Sequence, residues 1–312
     1  MRKWIVPTLG RKKISTLKPT DVRTLRVRMT KAGRATSTVR QGHIVLSMIL
    51  HAAVADRMCR TNVAKDVRKP RSRKGVVVTK WDAFSTEQAI ALLGAAAKLP
   101  DGAGARWWFK VLAGPRQGEI LGATLDDLDL DAWTSPNDSG GPLTYGPYQV
   151  NWKLEELRRD HGCGDDPCSY KQGARCPQAR WRIPDDFEMR HLSGAWALTR
   201  PKSRTGRMAP LVPPLAQALR RHLAATADQP NPHGLIWHDG TGEPIRPKDD
   251  DQQWRELLLA ADIITEEEAV PSGTRQTGHW ARHTMITILA GLGADSPITV
   301  RCPSAADPRS AL

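Results

Sequence analysis

Hydrophobic residues recur at helical spacing over the first third of the chain. Apolar side chains at steps of three and four residues, with arginines between them, predict a helix that begins at Thr20 and Asp21. A longer helix is predicted for residues 36–58. The expected inward positions are Val22, Leu25 and Met29 in the first helix, and Leu46, Ile49, Leu50, Ala53 and Val54 in the second. The pattern therefore predicts a small helical unit with a basic rim.

A second region of helical pattern begins at Ser85. Ser85 with Gln88 three residues later is a capping box, which is typical of a helix start. Helical spacing also occupies residues 105–122, 214–225 and 251–262. After residue 278 the pattern predicts a last helix that ends near Gly293, with its apolar face at Met285, Ile288, Leu289 and Leu292.

Two segments have the spacing of strands rather than helices. Aromatic and apolar residues recur at strand-like spacing in residues 146–152 and 194–200. Lys202 follows in a basic Lys-Ser-Arg-Thr-Gly stretch, where the pattern predicts a β-hairpin tip. No internal repeat is present. The predicted fold class is mainly α with a small β-sheet (α+β).

The charge of the chain points to a polyanionic partner. Lys and Arg number 46 against 33 Asp and Glu, a net charge of +13, and most of the excess lies in residues 1–80. The stretch KPRSRKG at 69–75 predicts a basic linker that lies against phosphate. The chain has no apolar run of the ~20 residues that a membrane span needs, and its start lacks the apolar run of a signal peptide. We therefore expect a cytoplasmic protein, with its five cysteines as thiols or metal ligands.

Three basic positions stand out as candidates for chemistry. Arg116 follows a Gly-Pro turn and opens a short apolar helix, Lys202 lies in the basic turn, and His279 and Arg282 share a helix face. Each of these is common on protein surfaces when it occurs alone. Their order along the chain, behind a basic helical region, is far more specific.

The stretches around these positions resemble the tyrosine recombinases, the phage-type site-specific integrases, in particular those of actinobacterial phages and mobile elements. The matching stretches are GPRQGEILGATLDDLDLD, LTRPKSRTGRMAPLVPPL and GHWARHTMITILAGLGAD, and IVPTLGRKKISTLKPTDVRTL near the start is similar to the core-binding domain of the family. The resemblance implies a SAM-like helical core-binding domain at 1–69, a basic linker at 70–83 and a catalytic domain at 84–295, with an insertion at 153–183.

The resemblance also implies roles for individual residues. Arg116 and Arg282 match the two arginines that clamp the phosphate, as fixed guanidiniums can. Lys202 matches the general acid that protonates the leaving 5′-oxygen, and His279 matches the histidine that manages the proton of the nucleophile. Glu119 matches an acidic position that we expect to be structural, holding either Arg116 or a helix N-terminus. No cofactor is expected for catalysis, because the family stores the bond energy in a 3′-phosphotyrosyl link.

The implied partner is double-stranded DNA of the attachment-site type, bound by a homo-oligomer and used in DNA integration and recombination. No membrane partner is expected. The candidate DNA-binding residues are Arg23, Arg26, Arg34, Arg40, Lys69, Arg71, Arg73 and Lys74.

The chain departs from the family after the last predicted helix. Its three tyrosines, Tyr145, Tyr148 and Tyr170, all precede Lys202, and residues 296–312 match nothing in the family. We therefore expect an aberrant tail, produced by a frameshift or a deletion, and a chain that is deficient in cleavage. The alternatives are a substitute nucleophile at Tyr148 or Tyr170, a non-catalytic DNA-binding remnant, and a zinc-containing DNA-binding regulator.

The predicted insertion carries a second candidate site. His161, Cys163, Cys168 and Cys176 fall within 16 residues and supply the four nitrogen and sulfur ligands of a closed structural zinc site. Their spacing differs from that of the standard zinc fingers. A loop with free thiols or with a disulfide is the alternative.

Overall fold

The computed structural model describes residues 2–70, 83–130, 146–164, 166–201, 207–271, 274 and 276–291. Contacts within the chain divide it into two units, Met1–Thr79 and Lys80–Leu312. That the first domain binds the DNA core site and the second is catalytic stays a prediction. Within the described part of the chain, no helix combines the length and apolar character that would let it cross a membrane.

Three helices form the described part of the first unit. They are α1 (Arg2–Leu9), α2 (Pro19–Lys31) and α3 (Thr36–Ala55). The apolar pattern predicts α2 and α3, and both are present. It does not predict α1, which contains Pro7. The core of this unit consists of Leu9, Val22, Leu25, Met29, Val39, Leu46, Leu50, Ala64 and Val67.

The prediction for α3 is wrong at its end and for one core residue. The helix ends at Ala55 rather than Met58 because Arg57 adopts a left-handed conformation with a φ of 57°. The N–H of Met58 then turns back to the carbonyl of Ala53 at 2.8 Å, which is the hydrogen bond of a Schellman end. Ile49 is 44% exposed, because the buried face of α3 follows other positions: Val39, His43, Leu46, Leu50 and Ala53.

Six helices occur in the described part of the second unit. They are α4 (Thr86–Ala97), α5 (Ala105–Leu112), α6 (Gln117–Leu121), α7 (Pro213–Ala225), α8 (Pro247–Ala260) and α9 (Gly278–Gly291). The predicted capping box of α4 is confirmed: the N–H of Gln88 donates to Oγ of Ser85 at 3.2 Å, and the N–H of Ser85 donates to Oε1 of Gln88 at 3.0 Å.

Seven short strands, all paired antiparallel, complete the described part of the second unit. They are β1 (Gly146–Val150), β2 (Lys153–Glu156), β3 (Arg159–Asp160), β4 (Arg180–Trp181), β5 (Met189–Ser193), β6 (Trp196–Thr199) and β7 (Arg207–Leu211). β1 pairs with β7, β6 lies between β2 and β5, and β3 pairs with β4. The predicted α+β class is therefore correct.

The prediction of a hairpin around Lys202 is wrong. A hairpin tip joins two strands that pair with each other. Here β6 pairs with β2, with Thr199 opposite Lys153, and β7 pairs with β1, with Arg207 opposite Val150. β6 and β7 therefore pair with two different strands, β2 and β1, and not with each other. Lys202 and the four residues after it lie outside the described residues.

Helix α5 contributes to two apolar cores in the second unit. Phe109 packs edge-on against Tyr148, with ring centroids 5.1 Å apart, in the core that α7 and β1 share. Trp107 packs against Trp254 of α8, with centroids 5.6 Å apart, in the other core. Both faces of α5 are therefore fixed by packing, and so is the segment that follows it.

Helix α9 packs on the second of these cores with a face that the sequence analysis did not predict. Ala281 and Thr284 are buried, whereas Ile288 is 40% exposed. Oγ1 of Thr284 accepts the N–H of Phe84 at 2.8 Å, which is why a polar residue is favoured at this buried position. The opposite side of the first turn of α9 is left open, and it carries His279.

Candidate functional site

The turn after α5 presents Arg116 to solvent. Gly114 has a φ of 62°, a conformation that favours glycine, and it turns the chain between α5 and α6. Arg116 is the N-cap residue of α6, and its side chain is 50% exposed. Its guanidinium is thus held at a helix start with half of its surface free to meet a ligand.

Glu119 fixes Arg116 in this position, as the sequence analysis expects. Its Oε2 accepts the backbone N–H of Arg116 at 2.7 Å, and its Oε1 accepts Nη1 of Arg116 at 3.0 Å. The Glu119 side chain is buried, with 3% of its surface exposed. A buried carboxylate with charged partners is a strong and directional anchor.

Arg207 is a further member of the site that the sequence analysis missed. It is the first residue of β7, and its Nη2 donates to Oε2 of Glu119. The position follows from the pairing of β7 with β1, which sets Arg207 opposite Val150. The stretch LTRPKSRTGRMAPL contains this arginine, but nothing in its local pattern separates Arg207 from the other basic residues there.

Helix α9 brings Arg282 and His279 to the same place. Nη1 of Arg282 donates to the carbonyl of Gly114 at 2.6 Å, which links α9 to the turn before Arg116. The rings of His279 and His283 meet edge to face, with centroids 4.9 Å apart. We call Arg116, Glu119, Arg207, His279 and Arg282 the arginine site.

The electrostatics of the arginine site confirm that its cations lie close together. The pKa of Arg282 is lowered by burial and then by the charges of Arg207 and Arg116, while Glu119 opposes this shift. Burial also lowers the pKa of His279, and His283, Arg282 and Arg116 add to the effect. The lowered pKa favours the neutral imidazole of His279. The site concentrates positive charge that an anion would relieve.

A second set of charges lies buried beneath this site. Nζ of Lys110 donates to Oδ2 of Asp250 at 2.9 Å, Nε of Arg106 lies 3.4 Å from Oδ1, and Nε2 of Gln117 donates to Oδ2 at 2.9 Å. We call Arg106, Lys110, Gln117 and Asp250 the buried ion network. Burial opposes the ionisation of Asp250, but Lys110 and Arg106 hold the pKa of its carboxyl below the usual value.

The buried ion network links α6, which carries Arg116 and Glu119 of the arginine site, to α5 and α8. Lys110 is on α5, Gln117 follows Arg116 on α6, and Asp250 is on α8. A side chain on Gly278, the first residue of α9, would come within 3.3 Å of Nζ of Lys110. The network therefore fixes α5, α6 and α8 around one carboxylate, with the start of α9 packed against it.

The tyrosines of the described residues occupy two very different places. Tyr148 is fully buried on β1, and burial raises the pKa of its hydroxyl, with further contributions from Asp127 and Glu119. Tyr170 is 48% exposed and lies between Cys168 and Cys176 of the predicted insertion. Tyr145 lies outside the described residues.

The predicted DNA-binding residues of the first unit lie on its surface. Arg23, Arg34, Arg40 and Lys69 are exposed, and Arg40 and Lys69 line one cleft together with Arg68. Arg26 is half-buried, and its Nη1 donates to the carbonyl of Arg68 at 2.8 Å. The other predicted positions, Arg71, Arg73 and Lys74, lie outside the described residues.

The cysteine and histidine residues of the predicted insertion converge. One ligand atom from each of His161, Cys163, Cys168 and Cys176 lies within 4.8 Å of the others. We call these four residues the Cys/His cluster. Residues 153–156 of the predicted insertion form β2 and belong to the main sheet, so the segment that carries the cluster begins after them.

Comparisons with known proteins add to this picture. No protein-family model matches the sequence. An integrase from Saccharopolyspora erythraea is 24% identical, over 96% of this chain and 68% of that protein. The Tn1549 transposon integrase in complex with a circular intermediate DNA has a TM-score of 0.58 at 18% identity, over 94% of this chain and 80% of that one.

A lambda integrase dimer bound to a core site has a TM-score of 0.56 at 12% identity, over 94% of this chain and 81% of that one. At these identities the solved structures establish a shared fold. The curated integrase adds sequence similarity along nearly the whole chain. The chain therefore shares its fold with the Tn1549 and lambda integrases and is similar in sequence to a curated integrase.

Proposed function

We propose that this chain binds duplex DNA as a site-specific recombinase does, with one phosphodiester held in the arginine site. The observation that carries the proposal is the convergence of three guanidiniums, from Arg116, Arg207 and Arg282, around the carboxylate of Glu119. Guanidiniums suit phosphate because their paired N–H groups match its oxygens. The DNA complexes of the Tn1549 and lambda integrases support DNA as the source of that phosphate.

The proposed roles follow from how each group is held. Arg116 is anchored on one side by Glu119 and open on the other, so its free N–H groups donate to a non-bridging phosphate oxygen. Arg282 is anchored on the carbonyl of Gly114 and adds a second charge from α9. Such fixed charges stabilise the extra negative charge of a phosphorane without moving in the reaction. The neutral ring of His279 is placed beside them as a proton acceptor.

The role of Lys202 is proposed from the family resemblance. Its ammonium group would protonate the leaving 5′-oxygen of the DNA strand and become a neutral amine. The strands β6 and β7 flank the segment that contains Lys202. Lys202 lies five residues before Arg207 in the sequence, and Arg207 is a member of the arginine site.

We further propose that this polypeptide of 312 residues binds DNA but does not cleave it. A phosphotyrosyl link needs an accessible tyrosine hydroxyl at the phosphate. Tyr148 is buried and its hydroxyl is held neutral, and Tyr170 belongs to the segment of the Cys/His cluster. A non-catalytic DNA-binding protein is therefore the function favoured for these 312 residues. We also propose that more than one copy binds each DNA site, as the lambda integrase dimer does on its core site.

Binding is tested on a duplex selected from random 30-base-pair DNA by the wild-type chain. We expect Arg116→Ala and Arg282→Ala each to weaken binding by a factor of about 10 to 100, since each loses a charged phosphate contact. Arg221→Ala is the matched control, because Arg221 is an exposed arginine of α7 away from Glu119. Equal affinities for all three variants would reject the arginine site as the phosphate site, and would favour the regulator that depends on the Cys/His cluster alone.

Cleavage is tested on the same duplex with a nick beside each phosphate in turn, which traps a covalent product. We expect no protein–DNA adduct from the wild-type chain. An adduct would contradict the proposed lack of cleavage, and peptide mapping would identify the nucleophile. If the adduct vanishes in Tyr170→Phe but remains in Tyr148→Phe, the substitute nucleophile is Tyr170.

A further inference from the structure

The segment that carries the Cys/His cluster has almost no apolar core of its own. Among the described residues from Arg158 to Arg182, Cys176 is the one that is buried. Tyr170 is 48% exposed, and the strands β3 and β4 contribute two residues each. Hydrophobic burial on this scale does not hold a segment of this length in one conformation. Another interaction must supply its stability.

The backbone of this segment is nevertheless folded tightly. A side chain on Gly162 would lie 2.0 Å from the carbonyl oxygen of Gln178, and a side chain on Gly173 would lie 2.4 Å from the carbonyl oxygen of Arg159. Both distances are impossible for a Cβ atom, so these two positions require glycine. The two halves of the segment are in backbone contact on either side of the Cys/His cluster.

The ligand atoms of the cluster are already close to the spacing that a metal ion imposes. Nδ1 of His161 lies 3.3 Å from Sγ of Cys168, and the N–H of Cys168 points to Sγ of Cys163 at 3.5 Å. In a tetrahedral zinc site, bonds of about 2.3 Å to sulfur and about 2.0 Å to nitrogen put neighbouring ligand atoms roughly 3.5 to 3.8 Å apart. The four ligand atoms of the cluster all lie within 4.8 Å of one another, so a short inward movement of these side chains would bring them to that spacing.

We propose that His161, Cys163, Cys168 and Cys176 bind one structural Zn²⁺ ion. Three sulfurs and one nitrogen are a ligand set that zinc prefers over harder cations. Four protein ligands fill a tetrahedral shell and leave no position for a substrate, so the ion has a structural role. Zinc is distinguished from a disulfide by the number of cysteines, because one disulfide would leave the third thiol and His161 without a partner.

The ion would close the segment between β3 and β4 into a small independent module. His161 and Cys163 follow β3, and Cys176 precedes β4, so one ion ties both ends of the segment together. Beside this junction, the guanidinium of Arg159 stacks on the ring of Trp181, 4.0 Å from the centroid, and covers one face of the ring. Metal binding then supplies the folding free energy that the missing apolar core does not.

The first test is the metal content of the full chain, purified without added metal. We expect about one zinc per chain for the wild type and for Cys59→Ser, whose thiol lies outside the cluster in the first unit. Cys163→Ser, Cys168→Ser and Cys176→Ser are each expected to lose at least about nine-tenths of that zinc, because three ligands bind far more weakly than four. A wild-type chain without zinc, or with a disulfide found by mass spectrometry of its peptides, overturns the proposal.

A second test remains valid if a cysteine variant fails to fold. Cobalt is added to the wild-type chain after chelation, and we expect the absorption bands of tetrahedral cobalt with thiolate ligands, saturating at about one equivalent. Limited trypsin digestion is followed in parallel, because Lys171, Arg175 and Arg180 are exposed cleavage sites in the segment. We expect chelation to open these sites and zinc to restore their protection. Unchanged digestion together with the absence of cobalt bands overturns the proposal.

Discussion

The arginine site and the buried ion network are built from neighbouring residues and have opposite electrostatic designs. The stretch RWWFKVLAGPRQGE supplies Arg106 and Lys110 to the network and Arg116 to the site. In the network, the cations are buried and form ion pairs with the fully buried carboxylate of Asp250. In the site, Arg116 is half exposed, and the carboxylate of Glu119 is shared between it and Arg207.

This difference separates an architectural use of charge from a functional one. A buried cation without its carboxylate would be very unfavourable, so the network locks α5, α6 and α8 into one arrangement. The arginine site instead keeps its cations close together around one shared carboxylate, and burial first, then the charges of Arg207 and Arg116, lower the pKa of Arg282. The network fixes α6, whose first residue, Gln117, follows Arg116. An anion bound at the site would reduce the repulsion between its cations.

The largest expected effect comes from breaking the network. Asp250→Asn leaves Lys110 and Arg106 buried without a carboxylate, and we expect the free energy of unfolding to fall by about 3 to 5 kcal/mol. Urea denaturation measures this change. Asp228→Asn is the matched control, because Asp228 is exposed and no member of the network, and it is expected to change stability by less than about 0.5 kcal/mol.

The double variant Lys110→Met with Asp250→Asn sharpens this test. Removal of the buried ammonium is expected to recover part of the loss, since the uncompensated charge is then smaller. If Asp250→Asn has the stability of the wild type, the network does not fix the helices and the contrast with the arginine site fails.

A smaller loss is expected from Glu119→Gln in the arginine site. The amide keeps an acceptor for the backbone N–H of Arg116 but loses the charge that bonds Arg116 and Arg207. We expect the free energy of unfolding to fall by about 1.5 to 3 kcal/mol, the usual range for hydrogen bonds to charged groups. Glu256→Gln, an exposed change on α8, serves as the control in the same denaturation experiment. Equal losses in the two variants would show that Glu119 does not anchor the arginines.

The smallest expected effect is the pH dependence of stability that comes from His222, a buried histidine whose partner is a backbone carbonyl rather than a carboxylate. Burial lowers the pKa of His222 from 6.5, and His238 and Arg106 add to this, while the contact of Nε2 with the carbonyl of Ile236 at 2.8 Å opposes it. The folded chain therefore binds fewer protons than the unfolded chain just below pH 6.5. Its stability is complete above that pH and decreases as the pH falls toward the folded pKa.

Denaturation at about pH 7.5, 6.5 and 5.5 measures this dependence, with a limit of about 1.4 kcal/mol per pH unit for one group. We expect His222→Gln to be less stable at high pH but to lose less stability on acidification. His51→Gln replaces an exposed histidine of α3 and is expected to keep the wild-type slope. An unchanged slope in His222→Gln would contradict the account of this buried group.

The sequence was most informative where a local pattern determines the structure. Apolar spacing predicts α2, α3, α7 and α8, and the capping box of Ser85 is present as expected. The order of Arg116, Lys202, His279 and Arg282 carries the resemblance to the tyrosine recombinases, whose fold the structure shares. The anchoring of Arg116 by Glu119 also follows, because the two are three residues apart at a helix start.

The sequence was least informative where distant residues meet. Asp250 bonds to Lys110 across 140 positions, and Arg207 reaches Glu119 across 88. Nothing local distinguishes these basic residues from exposed ones. The error about Lys202 has the same origin, since β6 and β7 pair with strands whose residues lie about 40 to 65 positions earlier in the chain. The end of α3 is set by the left-handed conformation of Arg57. Because arginine has no preference for that conformation, the sequence did not predict the end of the helix there.

The salt dependence of DNA binding tests the central claim most directly, because each phosphate contact adds to the slope of log affinity against log salt concentration. We expect Arg116→Ala and Arg282→Ala each to reduce the magnitude of the slope by about 1 relative to the wild type. Arg221→Ala is expected to leave it unchanged. A wild-type slope in both site variants would mean that the arginine site does not hold a DNA phosphate.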